Sequence, residues 1–94
     1  MSLRSTRGVE YSLRKTWAYV FITTRQPKRV VSKLRKIPGV ARADGLFGTP
    51  DAIAIAEGND MKSMDKVIDR IALIPEIIGT HSKIARWLDY VEAS

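Results

Sequence analysis

Side chains able to carry out covalent or metal chemistry are sparse in this sequence of 94 residues. There is no cysteine, which excludes disulfides, thiolate metal sites and a cysteine nucleophile. His81 is the only histidine, and without a second histidine or a cysteine we do not expect it to hold a metal. The sequence also has no spaced carboxylate pair, no nucleophile–base arrangement and no phosphate-binding glycine loop. These absences argue against an enzyme, a metal centre and a bound cofactor, and they favour a binding protein.

Polar residues suited to binding occur at two places in the sequence. Residues 48–51, Gly-Thr-Pro-Asp, are typical of a turn in which the glycine supplies conformational freedom and the aspartate bonds local backbone. Thr80 and Ser82 alternate with His81 in an extended run, so they share one face of a strand and His81 lies on the other. Taken alone, the two patterns indicate an ordinary turn and a half-exposed strand.

The net charge of +6 is unevenly placed along the chain. Residues 1–15 hold four cations and one acid, and the first predicted helix is basic throughout. Its five cations, unaccompanied by any acid, are Lys28, Arg29, Lys33, Arg35 and Lys36. Such a surface attracts nucleic acid or an acidic partner, although a solvated helix face and a basic arm explain the same pattern. Asparagine and glutamine are limited to Asn59 and Gln26, which favours a source that lives at high temperature.

Two isoleucine–proline phrases divide the chain into similar halves. They are Ile37-Pro38-Gly39-Val40 and Ile74-Pro75-Glu76-Ile77. Since proline cannot continue a helix and biases the preceding residue toward extended geometry, each phrase ends a helix and opens a strand. An extended apolar run precedes each helix. The predicted order is therefore β-α-β-β-α-β, an α+β ferredoxin-like fold with an antiparallel sheet and both helices on one face.

Periodicity gives the expected bounds of the elements. Strands are predicted at 17–24, 40–47, 52–56 and 77–84. The first helix begins after Gln26 at Pro27, and Asn59 or Asp60 caps the second. The apolar stripe of the first helix is Val30, Val31, Leu34 and Ile37, and that of the second is Met61, Met64, Val67 or Ile68, and Ile71. The chain thus divides into a basic arm at 1–16, a binding domain at 17–85 and a tail at 86–94 with aromatic content, expected to pack.

The strands carry apolar residues on both faces. In the first strand Trp17, Tyr19 and Phe21 alternate with smaller apolar residues, and in the third Ile53 and Ile55 alternate with alanines. Two helices on one face leave the other face bare, and a bare apolar patch of that size is rare on a soluble monomer. A homodimer that pairs the sheets, as in a dimeric α+β barrel, is the simplest way to cover it.

The ordered set of short motifs resembles the effector-binding domain of the Lrp/AsnC family, also called the RAM domain. The motifs are Ala18-Tyr19-Val20-Phe21-Ile22, the two isoleucine–proline phrases and Phe47-Gly48-Thr49-Pro50-Asp51. Full-length members carry an N-terminal helix-turn-helix domain, whereas here only the arm precedes the first strand. The chain therefore looks like a stand-alone RAM domain, from which no direct sequence-specific DNA binding is expected. The family turn commonly has an aromatic residue before its aspartate, where this chain has Pro50, so the shape of the pocket would differ.

The resemblance implies a binding function and its residues. Family members bind small effectors, typically amino acids, at clefts between dimers that assemble into rings such as octamers. Carried over by position, the contacting residues are Gly48, Thr49 and Asp51 on the turn and Thr80 and Ser82 on the fourth strand. Asp51 would accept a hydrogen bond from the ammonium, and the two hydroxyls would bind the carboxylate. Such a protein would modulate transcription or amino-acid metabolism by self-assembly or by co-assembly with full-length relatives.

Two other modules share this order of elements. An RNA-binding RRM requires stacking aromatics on strands one and three, but the third strand offers only alanine and isoleucine and the RRM signature is missing. An ACT-like regulatory domain fits the same pattern and stays an alternative. The longest apolar run, at 17–22, is too short to span a bilayer, and no signal-peptide pattern is found. A cytoplasmic location, with no membrane partner, is expected.

Overall fold

The computed structural model describes residues 16–85, and the structural statements below refer to these residues. The predicted tail at 86–94 and all but the last residue of the predicted arm lie outside them. The elements are β1 (Thr16–Thr24), α1 (Pro27–Leu34), β2 (Val40–Gly45), β3 (Ala52–Gly58), α2 (Met61–Ala72) and β4 (Ile77–Ile84). The strands form one antiparallel sheet in the order β2-β3-β1-β4. The predicted β-α-β-β-α-β ferredoxin-like fold is confirmed.

The two isoleucine–proline phrases form equivalent turns. In the first, Val40 N donates to Ile37 O at 3.1 Å, and in the second Ile77 N donates to Ile74 O at 3.2 Å. In each turn the donor is the first residue of a strand, so the turn leads directly into that strand. Gly39 differs from Glu76 at the matching position because it has a φ of +96° and its Cα lies against the Val67 side chain. The first turn therefore requires glycine, whereas the second does not.

Both helices start as predicted, but the second apolar stripe is shorter than expected. Asp60 caps α2 by accepting a hydrogen bond from Ser63 N at 2.7 Å, and this bond lowers the pKa of the Asp60 carboxyl. Met64, Val67 and Ile71 are buried. The prediction of Met61 as a core residue is wrong, since its side chain is half exposed. The backbone of Met64 lies directly against Gly58 at the end of β3, so Met61, one turn earlier, extends past the sheet.

The second strand ends earlier than the sequence predicts. It stops at Gly45 rather than at Phe47, so Leu46 and Phe47 belong to the connection between β2 and β3. Leu46 N donates to Asp51 O at 2.8 Å, and between them Gly48 adopts a φ of +94°. This positive φ turns the chain away from the sheet, and it leaves the Phe47 side chain fully exposed.

The helices cover one face of the sheet and leave the other open. On the covered face, alternate residues of β1 and the alanines of β3 are completely buried with the helix stripes. On the other face, Trp17 and Tyr19 are 47% and 39% exposed. We call this second surface the open sheet face; its apolar residues are Trp17, Tyr19, Phe21, Ile53 and Ile55. The two-faced apolar pattern seen in the sequence is thus present in the fold.

None of the helices between residues 16 and 85 has the length and apolar character needed to cross a membrane.

Candidate ligand-binding site

A cavity of about 500 Å³ lies where the β2–β3 connection meets the sheet. Its walls come from the connection and from two neighbouring strands. The connection contributes Thr49 and Pro50, β1 contributes Phe21 and Thr23, and β4 contributes Gly79, Thr80 and His81. The volume is in the range of roughly 300–1,000 Å³ that suits a small molecule. The structure brings two of the five predicted site residues, Thr49 and Thr80, into the wall of one cavity. We call it the ligand cavity.

The register between β1 and β4 decides which strand residues meet there. Residues opposite each other in antiparallel strands share a face, and Phe21 is opposite His81 while Ile22 is opposite Thr80. Phe21, Thr23 and His81 therefore belong to the open sheet face, and Thr80 and Ser82 lie on the other face of β4, both exposed. The sequence analysis missed Phe21, Thr23 and His81 as site residues. Two-residue alternation could have placed Phe21 and Thr23 on one face of β1, but only the register between β1 and β4 places His81 beside them.

Asp51 lies beside the ligand cavity and not in its wall. Its Oδ2 accepts a hydrogen bond from Thr24 N at 3.0 Å, and its own N donates to Ile22 O at 2.8 Å. These bonds hold the β2–β3 connection against the end of β1. Oδ1 of Asp51 has no hydrogen bond to any residue between 16 and 85. Gly48 and Ser82 are also outside the wall.

Thr24 joins three segments at this end of the sheet. Its hydroxyl, which is buried, donates to Glu76 O at 2.7 Å and accepts from Gln26 N at 3.0 Å. Together with the bond to Asp51, this residue ties the connection, the start of α1 and the turn before β4 to β1. The segments beside the ligand cavity are therefore held together by hydrogen bonds, two of which join residues distant in sequence.

Glu76 continues this network to the first helix. Both of its carboxylate oxygens accept from Lys33 Nζ at 2.8 Å, and Arg29 lies 3.8 Å away. The Lys33 hydrogen bond, aided by the Glu76 backbone N–H and the nearby positive charges, lowers the pKa of the Glu76 carboxyl from its ordinary value of 4.5.

Glu76→Gln tests this ion pair through the pH dependence of stability. A carboxyl whose pKa is lowered in the folded state stabilises the fold above its ordinary pKa, and this contribution is lost as pH falls through the folded value. We expect the variant to be less stable than the parent at pH 7 and equally stable well below pH 4.5, as measured by urea unfolding. Asp69→Asn, at an exposed position on α2, is the control and should show no such convergence. A constant difference at every pH would contradict the assignment.

Among the described residues, no group of three or more histidine, aspartate and glutamate side chains is placed to hold a metal ion.

Comparison with known proteins finds one family. The model of the Lrp/AsnC ligand binding domain matches residues 17–86. The HTH-type transcriptional regulator LysM of Saccharolobus solfataricus is 29% identical over 80 residues, covering 81% of this chain and 56% of LysM. The chain therefore spans little more than half the length of that regulator.

Solved structures show the same fold. Hypothetical protein PHS023 from Pyrococcus horikoshii superposes with a TM-score of 0.70 at 27% identity, covering 80% of this chain and 94% of PHS023. Regulator NMB0573 of Neisseria meningitidis, solved as a complex with L-Met, superposes with a TM-score of 0.66. It is 20% identical over 86% of this chain and 55% of its own, so this likeness concerns the fold alone.

Proposed function

The chain belongs to the Lrp/AsnC ligand-binding domain family, and from this membership we propose that it is a non-catalytic regulatory protein that binds an amino acid in the ligand cavity. The observation that carries the proposal is the meeting of Thr49 and Thr80 in one wall of a cavity of small-molecule size. The L-Met complex of NMB0573, a protein of the same fold, supports an amino acid as the ligand.

The chemistry around the cavity suits a zwitterion. Asp51 is held in place through Oδ2, and its Oδ1 is available to accept a hydrogen bond from an ammonium group. Thr49 and His81 supply donors for a carboxylate, and Thr80, on the other face of the edge strand β4, would add its hydroxyl from that side. Gly48 and Ser82, outside the wall formed by one chain, would contact the ligand where a second dimer closes the cleft. Phe21 and Pro50 give the ligand side chain an apolar surface.

We also propose that two copies pair through the open sheet face. Its apolar centre has a polar rim that includes Arg42, Asp44 and Lys83, the arrangement common in protein interfaces. Arg42 donates to Asp44 at the rim, and this hydrogen bond lowers the pKa of the Asp44 carboxyl. A stable pair of this kind buries about 1,600 Å² in total. Assembly of such dimers into rings, an octamer among them, would close the ligand cavity.

The regulatory role would be exerted in the cytoplasm through assembly. LysM is a transcriptional regulator, and this chain matches about half of it. We therefore propose that this chain co-assembles with full-length relatives, and that a bound amino acid modulates transcription through these mixed assemblies. The chain itself would contribute effector binding and oligomer contacts, without sequence-specific DNA binding.

A thermal-shift screen of the amino acids tests the ligand proposal, and variants locate the site. For the amino acid that stabilises most, Asp51→Asn and Thr80→Val should each weaken binding, with Asp51→Asn losing roughly 10- to 150-fold because a bond to a charged group is removed. Calorimetric titration measures the affinity. Asp69→Asn on α2 is the matched control and should bind like the parent.

Two outcomes would contradict this assignment. Unchanged affinity in both Asp51→Asn and Thr80→Val would exclude the ligand cavity as the site. Loss of folding together with binding in Asp51→Asn would show that Asp51 serves only the Thr24 contact, and Thr80→Val would then decide the location.

A further inference from the structure

A second cavity, of about 630 Å³, runs along the outer side of α1. We call it the α1 groove; the residues that matter for its chemistry are Lys28, Val31, Arg35, Lys36, Leu46 and Phe47. The first residues of the β2–β3 connection, Leu46 and Phe47, line this groove, and the later residues Thr49 and Pro50 line the ligand cavity. The two cavities share no lining residue. The α1 groove is therefore a separate surface.

The ends of the α1 groove carry positive charge that the fold does not neutralise. Of the five cations on and just after α1, Lys33 and Arg29 face Glu76, and Arg35 lies 3.5 Å from Asp44. Lys28 and Lys36 have no ion pair with any residue between 16 and 85. Lys36 lies two residues beyond α1, where a tightened turn continues the helix direction and Lys36 N donates to Lys33 O at 3.1 Å. At about 1.5 Å of rise per residue, these two lysines lie about 12 Å apart along that direction.

The middle of the α1 groove is apolar. Val31 is buried at its floor, and Leu46 and Phe47 form the wall opposite the helix. Leu46 is 41% exposed and Phe47 is fully exposed. Large apolar side chains that stand free beside unpaired cations are characteristic of surfaces that a protein partner covers, where one aromatic anchor contributes much of the affinity.

We propose that the α1 groove docks an acidic segment of a partner protein. The segment would carry two carboxylates about 10–12 Å apart, which pair with Lys28 and Lys36, and a large apolar side chain between them, which packs on Leu46 and Phe47. A nucleic acid fits less well, since single strands bind platforms with several stacking aromatics and this groove has one. The proposal does not depend on effector binding in the ligand cavity.

A designed helical peptide is the direct probe. It carries two glutamates seven positions apart. Leucine and phenylalanine stand between them, three and four positions after the first glutamate, so that all four side chains share one face of the helix. The control peptide has glutamines in place of the two glutamates. Fluorescence anisotropy with the full chain should show saturable binding of the acidic peptide that weakens with salt. The glutamine peptide should bind roughly 2- to 30-fold more weakly, as expected for the loss of two exposed ion pairs.

Variants of the protein locate the contact. The double change Lys28→Gln and Lys36→Gln should also weaken the acidic peptide roughly 2- to 30-fold, and Phe47→Ala should weaken it about 30-fold. The matched control is Lys62→Gln with Lys66→Gln, which removes the same charge from exposed positions on α2 and should leave binding unchanged.

Three results would overturn the proposal. One is the absence of saturable binding up to about 1 mM peptide, the weakest affinity that such contacts would give. Another is binding that none of the groove variants alters. The third is tighter binding of a single-stranded oligonucleotide than of the peptide, weakened by the same changes at Lys28, Lys36 and Phe47. That result would assign the groove to nucleic acid.

Discussion

Ile55→Glu is expected to dissociate the proposed dimer into monomers that keep their fold. Ile55 lies at the centre of the open sheet face, opposite Tyr19 of β1 on one side and Arg42 of β2 on the other. In a two-fold symmetric pair the substitution places two carboxylates in one interface, and the neighbouring Arg42 already donates to Asp44. Since each uncompensated buried charge costs about 3–5 kcal/mol, the dissociation constant should rise roughly 10³-fold or more.

Sedimentation equilibrium measures this change, and a second variant controls for it. Leu73→Glu makes the same kind of substitution at an exposed apolar residue after α2, away from the open sheet face, and should leave the mass unchanged. Circular dichroism should show the same secondary structure in both variants. A parent protein that sediments as a monomer at micromolar concentration, or an Ile55→Glu variant that still dimerises, would show that the open sheet face is not the interface.

Gly39→Ala is expected to destabilise the fold strongly. A non-glycine residue at the observed φ of +96° is strained by roughly 1–2 kcal/mol, and the added Cβ would overlap the Val67 side chain. Overpacking of this kind costs roughly 1–3 kcal/mol more. The sum, about 2–5 kcal/mol, corresponds to a fall in melting temperature of roughly 8–40 °C for a domain of this size.

Gly45→Ala is the matched control. Gly45 lies at the opposite end of β2, has no positive φ, and an added methyl there would meet no atom within 4 Å. Its melting temperature should stay close to that of the parent. If Gly39→Ala melted within a few degrees of Gly45→Ala, the positive φ and the contact with Val67 could not be the reason for glycine in the first isoleucine–proline phrase.

The sequence predicted those parts of the fold that depend on local chemistry. The isoleucine–proline phrases located both helix ends to within three residues, and the alternation in β1 located both faces of the sheet. The first helix ends at Leu34, so the prediction of Ile37 as part of its apolar stripe is wrong, because the last residues before the proline form a turn. The end of β2 was wrong because Leu46 and Phe47 continue an apolar run, whereas in the fold they belong to the connection that turns at Gly48 with a positive φ. Met61 was wrong because helical spacing cannot say where the sheet beneath a helix ends.

The candidate site was predictable only in part, for a related reason. Thr49 and Thr80 were identified from the resemblance to a known family, and they do line one cavity. The contributions of Phe21 and His81 depend on the register between β1 and β4, which no local pattern specifies. The bond between Asp51 and Thr24 likewise joins residues far apart in sequence.

The β2–β3 connection forms part of both cavities, Leu46 and Phe47 in the α1 groove and Thr49 and Pro50 in the ligand cavity. If occupancy of one cavity moves this short segment, thermodynamic linkage requires that the two binding equilibria be coupled reciprocally. The factor by which the amino acid changes the affinity for the acidic peptide must then equal the factor by which the peptide changes the affinity for the amino acid. Two titrations, each with the other ligand absent and then saturating, would give that single coupling constant twice.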